Sequence, residues 1–119
     1  MRSSAASDVY KRQHMYYPVS SVLIECLILS IVASSDSYGY EISQTVKLAA
    51  SIKESSLYPI LRKLEQNGYL STYNQEFQGR NRKYYSITEK GKEQLLYLKE
   101  EWKIYKETID GIIEGRLKK

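Results

Sequence analysis

A stretch of cations and tyrosines, QGRNRKYYSIT at residues 78 to 88, holds the side chains best suited to binding an anion. Arg80 and Arg82 flank Asn81 within it, and Lys83 follows directly. Arginine and lysine donate hydrogen bonds to phosphate oxygens, and their long side chains reach a backbone that short ones cannot. The stretch is therefore either a finger that contacts phosphate or an ordinary solvated hairpin.

The sequence offers no set of residues for catalysis or metal binding. It contains one histidine, His14, and one cysteine, Cys26, which is too few for a Cys/His metal cluster. It also lacks a nucleophile paired with a base, a glycine-rich phosphate loop and carboxylates at a catalytic spacing. We therefore expect no catalytic residues, no cofactor and no metal. A single cysteine excludes an internal disulfide and fits the reducing cytoplasm.

The overall charge favours an acidic partner. The 119 residues carry 18 Lys and Arg against 14 Asp and Glu, which gives a formal charge of +4. The charge is uneven, because five cations lie between Arg80 and Lys92 with Glu89 as the one anion among them. A chain of this length fits one domain with a modest core.

The first 14 residues differ in character from the rest. They are small, polar and basic without an apolar run, so they do not read as a secretory signal. Because SSAASDVYKRQ resembles a translated cloning adaptor, we expect residues 1–14 to be a non-native or disordered leader and the natural start to be Met15. The alternative is a native arm that touches DNA. We assign residues 15–87 to one domain and 88–119 to a C-terminal helix.

The domain is predicted to begin with a helix that is apolar on most sides. Residues 22–33 are interrupted only by Glu25 and Ser30, and Pro18 suits the first turn. The run is too short to cross a bilayer, which takes about 20 residues. We therefore expect this helix to be covered on two sides, by its own core and by a second subunit, with Cys26 as a small buried hydrophobe and Glu25 as a polar contact at the dimer interface.

Two further helices are predicted. In SYGYEISQTVKLAA, Ser37 is a candidate cap before a stripe that contains Ile42, Val46 and Ala49. In KESSLYPILRKLEQNGYL, the three leucines at 57, 61 and 64 follow helical spacing and the pair at 67–68, Asn-Gly, ends the helix. Pro59 requires this third helix to start late or to kink. The face opposite the leucines comprises Ser55, Tyr58, Pro59, Arg62 and Gln66.

The period then changes to that of strands. YLSTYNQEF and RKYYSI alternate, and QGRN supplies a turn between them, so residues 70–87 are predicted to form a β-hairpin with Tyr84 and Tyr85 on opposite faces. Three helices followed by a basic hairpin predict a winged helix-turn-helix, mainly α with a small β-hairpin. In that fold the third helix enters the major groove and the hairpin lies along the backbone or minor groove. Hairpin, helix face and net charge together favour phosphate contact.

The chain resembles the PadR family of transcriptional regulators from about residue 19 to 113. The resemblance rests on YGYEI at 38–42, SSLYPILRKLEQNGYL at 55–70, GRNRKYYSITEKG at 79–91 and a tryptophan eleven residues later. It implies a homodimeric repressor of the short subfamily, with one C-terminal helix, on a pseudo-palindromic operator in double-stranded DNA. The implied DNA contacts are Tyr40, Lys53, Ser55, Ser56, Tyr58, Arg62, Arg80, Asn81, Arg82 and Lys83. Lys53 stands where many relatives carry a capping Ser or Asn, so it either leaves the helix poorly capped or reaches a phosphate itself.

The last helix predicts a dimer independently. Its apolar residues at 95, 98, 102, 105, 109 and 112 repeat every three or four positions, as in a coiled-coil seam. Packing on its own domain is the alternative. With the first helix, the predicted dimer interface comprises Leu23, Leu27, Leu95, Leu98, Trp102, Tyr105, Ile109 and Ile112. Two-fold symmetry would place the third helices of the two subunits, which read the DNA, about one turn of DNA apart.

Two functional alternatives stay open. The resemblance implies that Trp102 stacks a flat aromatic effector across the dimer axis, whereas plain interface packing is the other role for a seam tryptophan. The other class of function is a winged-helix protein-interaction module without DNA specificity. Such a module would not need cations concentrated on the hairpin and on the outer face of the third helix.

Overall fold

The computed structural model describes residues 16–118. The expectations for the leader at 1–14 and the start at Met15 lie outside these residues. The elements in chain order are α1 (Ser21–Ser34), β1 (Ser37–Tyr38), α2 (Gly39–Val46), α3 (Glu54–Gln66), β2 (Leu70–Phe77), β3 (Arg80–Ile87) and α4 (Glu89–Ile113). The strands form an antiparallel sheet in the order β1-β3-β2. The predicted winged helix-turn-helix is confirmed, with a third, two-residue strand that sequence reasoning missed. Within the described range, no helix is long and apolar enough to cross a membrane.

Helix α1 starts later than predicted. The Ser20 hydroxyl accepts a hydrogen bond from the Leu23 amide at 3.2 Å and so caps a helix that begins at Ser21. Pro18 therefore precedes the helix instead of lying in its first turn. Cys26 is buried, and burial raises the pKa of its thiol, as expected of a small core residue without a reactive role.

Glu25 forms an ion pair within its own chain. Its carboxylate is buried and lies 3.1 Å from the Lys63 ammonium on α3, whose side chain is 60% exposed. The carboxylate thus has a partner within its own chain, and a further contact at a dimer interface stays a prediction. This ion pair fastens α1 to α3 across 38 residues of sequence.

Helix α2 is shorter than its pattern suggested. Its N-cap is Tyr38, since Ser37 is buried in β1 and donates its hydroxyl to the Ser35 carbonyl at 3.1 Å. Ile42 and Val46 are buried as expected, but the helix ends at Val46. The turn that follows buries Ala50 in place of Ala49.

Helix α3 carries the predicted leucine stripe, and all three leucines are fully buried. It begins at Glu54, so Pro59 lies in the second turn and cannot donate an amide bond to the Ser55 carbonyl. At the other end Gly68 has φ +82°, and the Tyr69 amide bonds the Leu64 carbonyl at 3.0 Å. This glycine C-cap confirms the predicted stop and turns the chain into β2.

The hairpin pairs in register from Leu70 opposite Ile87 to Phe77 opposite Arg80. The turn is therefore Gln78–Gly79 alone, with φ +55° and +77°, as in a two-residue type I′ turn. The predicted four-residue turn QGRN is wrong, because Arg80 and Asn81 already belong to β3. Tyr84 and Tyr85 do lie on opposite faces, and Tyr85 packs into the core.

Helix α4 is anchored at its start to the turn after α3. The Thr88 hydroxyl accepts from the Gly91 amide at 2.9 Å and donates to the Gly68 carbonyl at 2.7 Å. The first turns then pack on α1 and bury Leu95 and Leu98 in the chain's own core. These two leucines are therefore covered largely by their own chain, and their part in a partner interface stays a prediction.

Beyond Leu98 the seam is open. Trp102 is 40% exposed, Tyr105 and Ile112 are more exposed, and Ile109 is half-buried. The seam therefore divides into an intramolecular part and a part that the chain itself leaves uncovered. Leu23 and Leu27 on α1 are half-buried at the edge of the core.

Candidate nucleic-acid interface

An open groove of about 430 Å³ lies where the β1–α2 junction, α3 and β3 meet. The residues that line it are Tyr38, Gly39, Tyr40, Tyr58, Arg62, Arg80, Asn81, Arg82, Lys83 and Tyr85. Seven of these are among the ten residues predicted to contact DNA. The other three, Lys53, Ser55 and Ser56, are exposed at the N-cap and first turn of α3 outside the groove.

The groove exists because β1 is so short. Its two residues pair with Tyr84 and Tyr85, so the outer edge of β3 from Arg80 to Lys83 has no strand beside it in the described part of the chain. Backbone donors and acceptors along such an edge are available to a ligand. The cations of β3 thus lie along unpaired backbone groups at the border of the groove.

Gly39, the first residue of α2, allows α2 and α3 to approach each other at this groove. A Cβ atom there would lie 2.6 Å from Cε1 of Tyr58, so a larger residue would push the tyrosine ring aside. Tyr58 remains 39% exposed, and Tyr40, on the first turn of α2, is exposed beside it. The YGY sequence therefore sets the position of two candidate DNA contacts.

Arg62 and Arg80 keep their charges free. Among residues 16–118 neither side chain forms an ion pair or hydrogen bond, and both are exposed. Arg62 projects from the outer face of α3 and Arg80 from the first position of β3. These two guanidinium groups are the best placed to bind phosphate or a base edge.

Lys83 is held by an acidic partner. Its ammonium lies 3.4 Å from one oxygen of Glu65, and the Thr72 hydroxyl donates to the other oxygen at 3.1 Å. One carboxylate on α3 therefore binds both strands of the hairpin. Since its side chain is still 52% exposed, Lys83 lies at the groove with its charge already partly balanced.

Arg82 lies at the groove with its guanidinium packed on aromatic rings. Side chains alternate along a strand, so Arg80, Arg82 and Tyr84 share the sheet face that is turned away from the helices. The Arg82 guanidinium carbon lies 4.5 Å from the ring centre of Tyr38 and 5.7 Å from that of Phe77. Arg82 is thus stacked on aromatic rings at the border of the groove, and its contact with phosphate stays a prediction.

Asn81 and Tyr85 face the helices from the same strand. Asn81 is exposed opposite Glu76, and burial raises the pKa of the Tyr85 phenol, although the nearby Lys83 partly lowers it. Tyr85 is thus a neutral wall of the groove at physiological pH. Tyr85, Tyr38 and Gly39 line the groove but were not among the predicted site residues. Tyr38 and Gly39 belong to the YGYEI motif, which could have indicated them.

Comparison with known proteins agrees with this geometry. The model of the Transcriptional regulator PadR-like family matches residues 28–96, which is more than half of the chain. The chain belongs to the PadR-like family of transcriptional regulators. It is therefore a DNA-binding regulator of transcription and not an enzyme.

Solved structures of relatives share the fold of this PadR-like chain. The smu.1704 protein of Streptococcus mutans is 68% identical over 88% of this chain and 99% of that chain, with a TM-score of 0.85. A PadR family transcription regulator from Clostridium difficile is 33% identical over 76% and 97%, with a TM-score of 0.70. Uncharacterized protein X of Lysinibacillus sphaericus is 38% identical over 77% of this chain and 89% of its own.

The start of α3 lacks a side-chain cap, which leads to a prediction. Lys53 occupies the N-cap position with extended backbone and makes no cap hydrogen bond. We expect Lys53→Asn to raise the free energy of unfolding by about 1 kcal/mol, because asparagine can accept from the free amides of the first turn. Urea denaturation measures this, with Lys53→Ala as the control that removes the charge without adding a cap. Equal stability of the two variants would contradict the prediction.

Proposed function

We propose that this PadR-like regulator is a cytoplasmic, sequence-specific repressor that acts as a homodimer on a pseudo-palindromic operator. The observation that carries the proposal is the groove in which the outer face of α3 meets the free edge of β3, with Arg62 and Arg80 unpaired among the described residues. A formal charge of +4 supplies general attraction to DNA.

The geometry supports a division of labour between the two sides of the groove. Helix α3 presents hydroxyls, an aromatic ring and Arg62 on one exposed face, and an arginine can bind both acceptors of a guanine in the major groove. Arg80 on β3 and Lys53 before α3 are placed to bind phosphates. We assign sequence reading to α3 and electrostatic anchoring to the wing, the hairpin of β2 and β3.

The uncovered seam of α4 supports the homodimer. Trp102, Tyr105 and Ile112 are all at least 40% exposed on one side of this helix. Apolar patches rimmed by charge are typical of protein–protein interfaces, and a second copy of α4 supplies the complementary surface. The dimer would present two α3 helices to successive half-sites, about 34 Å apart for one turn of DNA.

An effector site in this seam is the finer part of the proposal. The rings of Trp102 and Tyr105 lie 6.2 Å apart, tilted by 47°, and both are exposed in the single chain. A small flat aromatic molecule would stack on them and change the distance between the α3 helices of the two subunits. The chain contains one tryptophan, so quenching of its fluorescence by such a compound reports binding directly.

Two variants test the division of labour. We expect Arg80→Met to weaken binding to any duplex and to reduce the dependence of log K on log salt by about 0.9, one phosphate contact. Arg62→Ala should instead cost roughly tenfold or more on the selected operator and relax the preference at one base pair. Fluorescence anisotropy across a salt series measures both effects.

The matched control is Lys103→Met, which removes one exposed charge from α4 far along the chain from the groove. It should leave both the affinity and the salt slope unchanged. If Arg80→Met and Arg62→Ala behave alike, the division of labour is wrong. If neither differs from Lys103→Met, the groove is not the DNA site and the protein-interaction alternative gains support.

Repression itself needs a cellular readout. A reporter placed behind the selected operator should be silenced by the wild-type protein and released by Arg62→Ala. A reporter that is activated by the wild-type protein would overturn the repressor assignment while leaving DNA binding intact.

A further inference from the structure

We infer that Arg82 positions the wing and is not itself a phosphate contact. This inference rests on the proposed function, since it concerns how the wing is aimed at DNA. It gives Arg82 and Arg80 different roles, although the two lie two residues apart on the same strand and both were expected to bind phosphate. The roles differ because the Arg82 guanidinium is stacked on aromatic rings, whereas that of Arg80 is exposed.

The guanidinium of Arg82 is already engaged. It stacks over the ring of Tyr38 at 4.5 Å and lies 5.7 Å from the ring centre of Phe77. Its Nε is buried with no hydrogen-bond partner in the described structure, so the inner part of the group is desolvated. A cation over aromatic faces is stabilised by the ring quadrupoles, and more so where water is excluded. Leaving that position for a phosphate would sacrifice both contacts.

The two rings that hold Arg82 belong to distant parts of the chain. Phe77 is the last residue of β2, directly before the turn at the tip of the wing. Tyr38 lies in β1 and caps α2, whose first turn forms one wall of the groove. Arg82 therefore bridges the tip of the wing to the wall of the groove.

Arg82 also completes a chain of aromatic contacts, which we call the outer ladder: Phe77, Tyr38, Tyr84 and Tyr73. Successive ring centres are 6.1, 5.4 and 5.7 Å apart. At its far end the Tyr73 hydroxyl donates to Asp36 at 2.7 Å, in the turn after α1. The ladder runs along the outer face of the sheet, and it fixes the direction of β3, and with it Arg80, relative to α3.

Methionine separates the two roles of an arginine at this position. Arg82→Met keeps a long, flexible side chain that packs well on aromatic rings but removes the charge. Arg82→Ala removes both the packing and the charge. Arg80→Met is the matched control, since it removes the same charge from a guanidinium that is free.

The experiment measures operator affinity by anisotropy across a salt series, and amide hydrogen exchange of residues 74–82 without DNA. We expect Arg82→Met to keep the wild-type salt slope and to bind within about threefold of wild type. Arg82→Ala should bind about fivefold to tenfold more weakly at an unchanged slope and exchange faster in the wing, because it removes the packing on both rings together with the charge. Arg80→Met should lose about 0.9 of slope without faster exchange.

A loss of slope in Arg82→Met equal to that in Arg80→Met would overturn the inference, and so would wild-type hydrogen exchange in Arg82→Ala. Failure of the proposed function gives a different pattern. In that case Arg80→Met and Arg62→Ala would also leave binding unchanged, while the exchange data would still report whether Arg82 holds the wing.

Discussion

Replacing Gly91 with alanine should destabilise the fold by about 2 to 3 kcal/mol, as expected for overpacking against atoms that cannot move. A Cβ atom at this position would collide with the Tyr69 carbonyl oxygen. That carbonyl is held in place, because it accepts a hydrogen bond from the Thr88 amide at 3.1 Å and shares with the Gly68 carbonyl the proton of the Thr88 hydroxyl. The start of α4 would have to move away from the wing, and thermal or urea denaturation measures the cost.

The same substitution at Gly111 is the matched control. A Cβ there would meet Cδ1 of Leu117 at 2.7 Å, which is the end of a flexible side chain near the last described residue. Alanine is also a better helix former than glycine by about 1 kcal/mol. Gly111→Ala should therefore be neutral or stabilising. Similar losses at Gly91 and Gly111 would show that the contact with Tyr69 is not what requires glycine.

The second large effect concerns Trp102. We expect Trp102→Ala to weaken self-association roughly 30-fold or more, because a large aromatic side chain at the centre of an interface commonly contributes 2 kcal/mol or more to binding. The indole is 40% exposed in the single chain and lies on the uncovered seam. Sedimentation equilibrium over a range of concentrations measures the dimer dissociation constant.

Tyr97 provides the control for this experiment. It is 60% exposed on the same helix, but its position falls outside the seam that contains Leu98 and Trp102. Tyr97→Ala should leave the dissociation constant unchanged. A dimer that tolerates Trp102→Ala and is broken by Tyr97→Ala would move the interface to the opposite face of α4.

Strongly periodic features of this sequence predicted structure well. The leucines of α3 recur at helical spacing, and all three are buried. The hairpin strands alternate, and Tyr84 and Tyr85 therefore point to opposite faces. Periodicity succeeds here because each element has one face against a single core.

Sequence reasoning missed contacts between distant chain segments and the conformation of one tight turn. The partner of Glu25 lies on α3, and no local pattern indicates it. The stack on Arg82 depends on a two-residue strand, which is too short to show any period. The tight turn requires Gln78 at φ +55°, a conformation that non-glycine residues seldom adopt, so a longer turn was the natural expectation.

The heptad pattern of α4 illustrates a different limit. Its apolar spacing is continuous from Leu95 to Ile112, yet the first two leucines are covered by the chain itself and the seam from Trp102 onward is not. An apolar stripe predicts that something covers it but does not distinguish α1 of the same chain from a second subunit. The candidate site shows the same limit of sequence patterns. Sequence motifs identified its cations, and only the fold shows which of them are free of ion pairs and stacking contacts.

The most direct test of the central claim is binding of the wild-type protein to an operator selected from a pool of random duplexes. Fluorescence anisotropy would compare that operator with a shuffled duplex of equal length across a salt series. The proposed function predicts tight binding of two chains to the selected operator, and weaker, more steeply salt-dependent binding to the shuffled one. Equal, weak binding to both duplexes, with no sequence enriched from the pool, would contradict it.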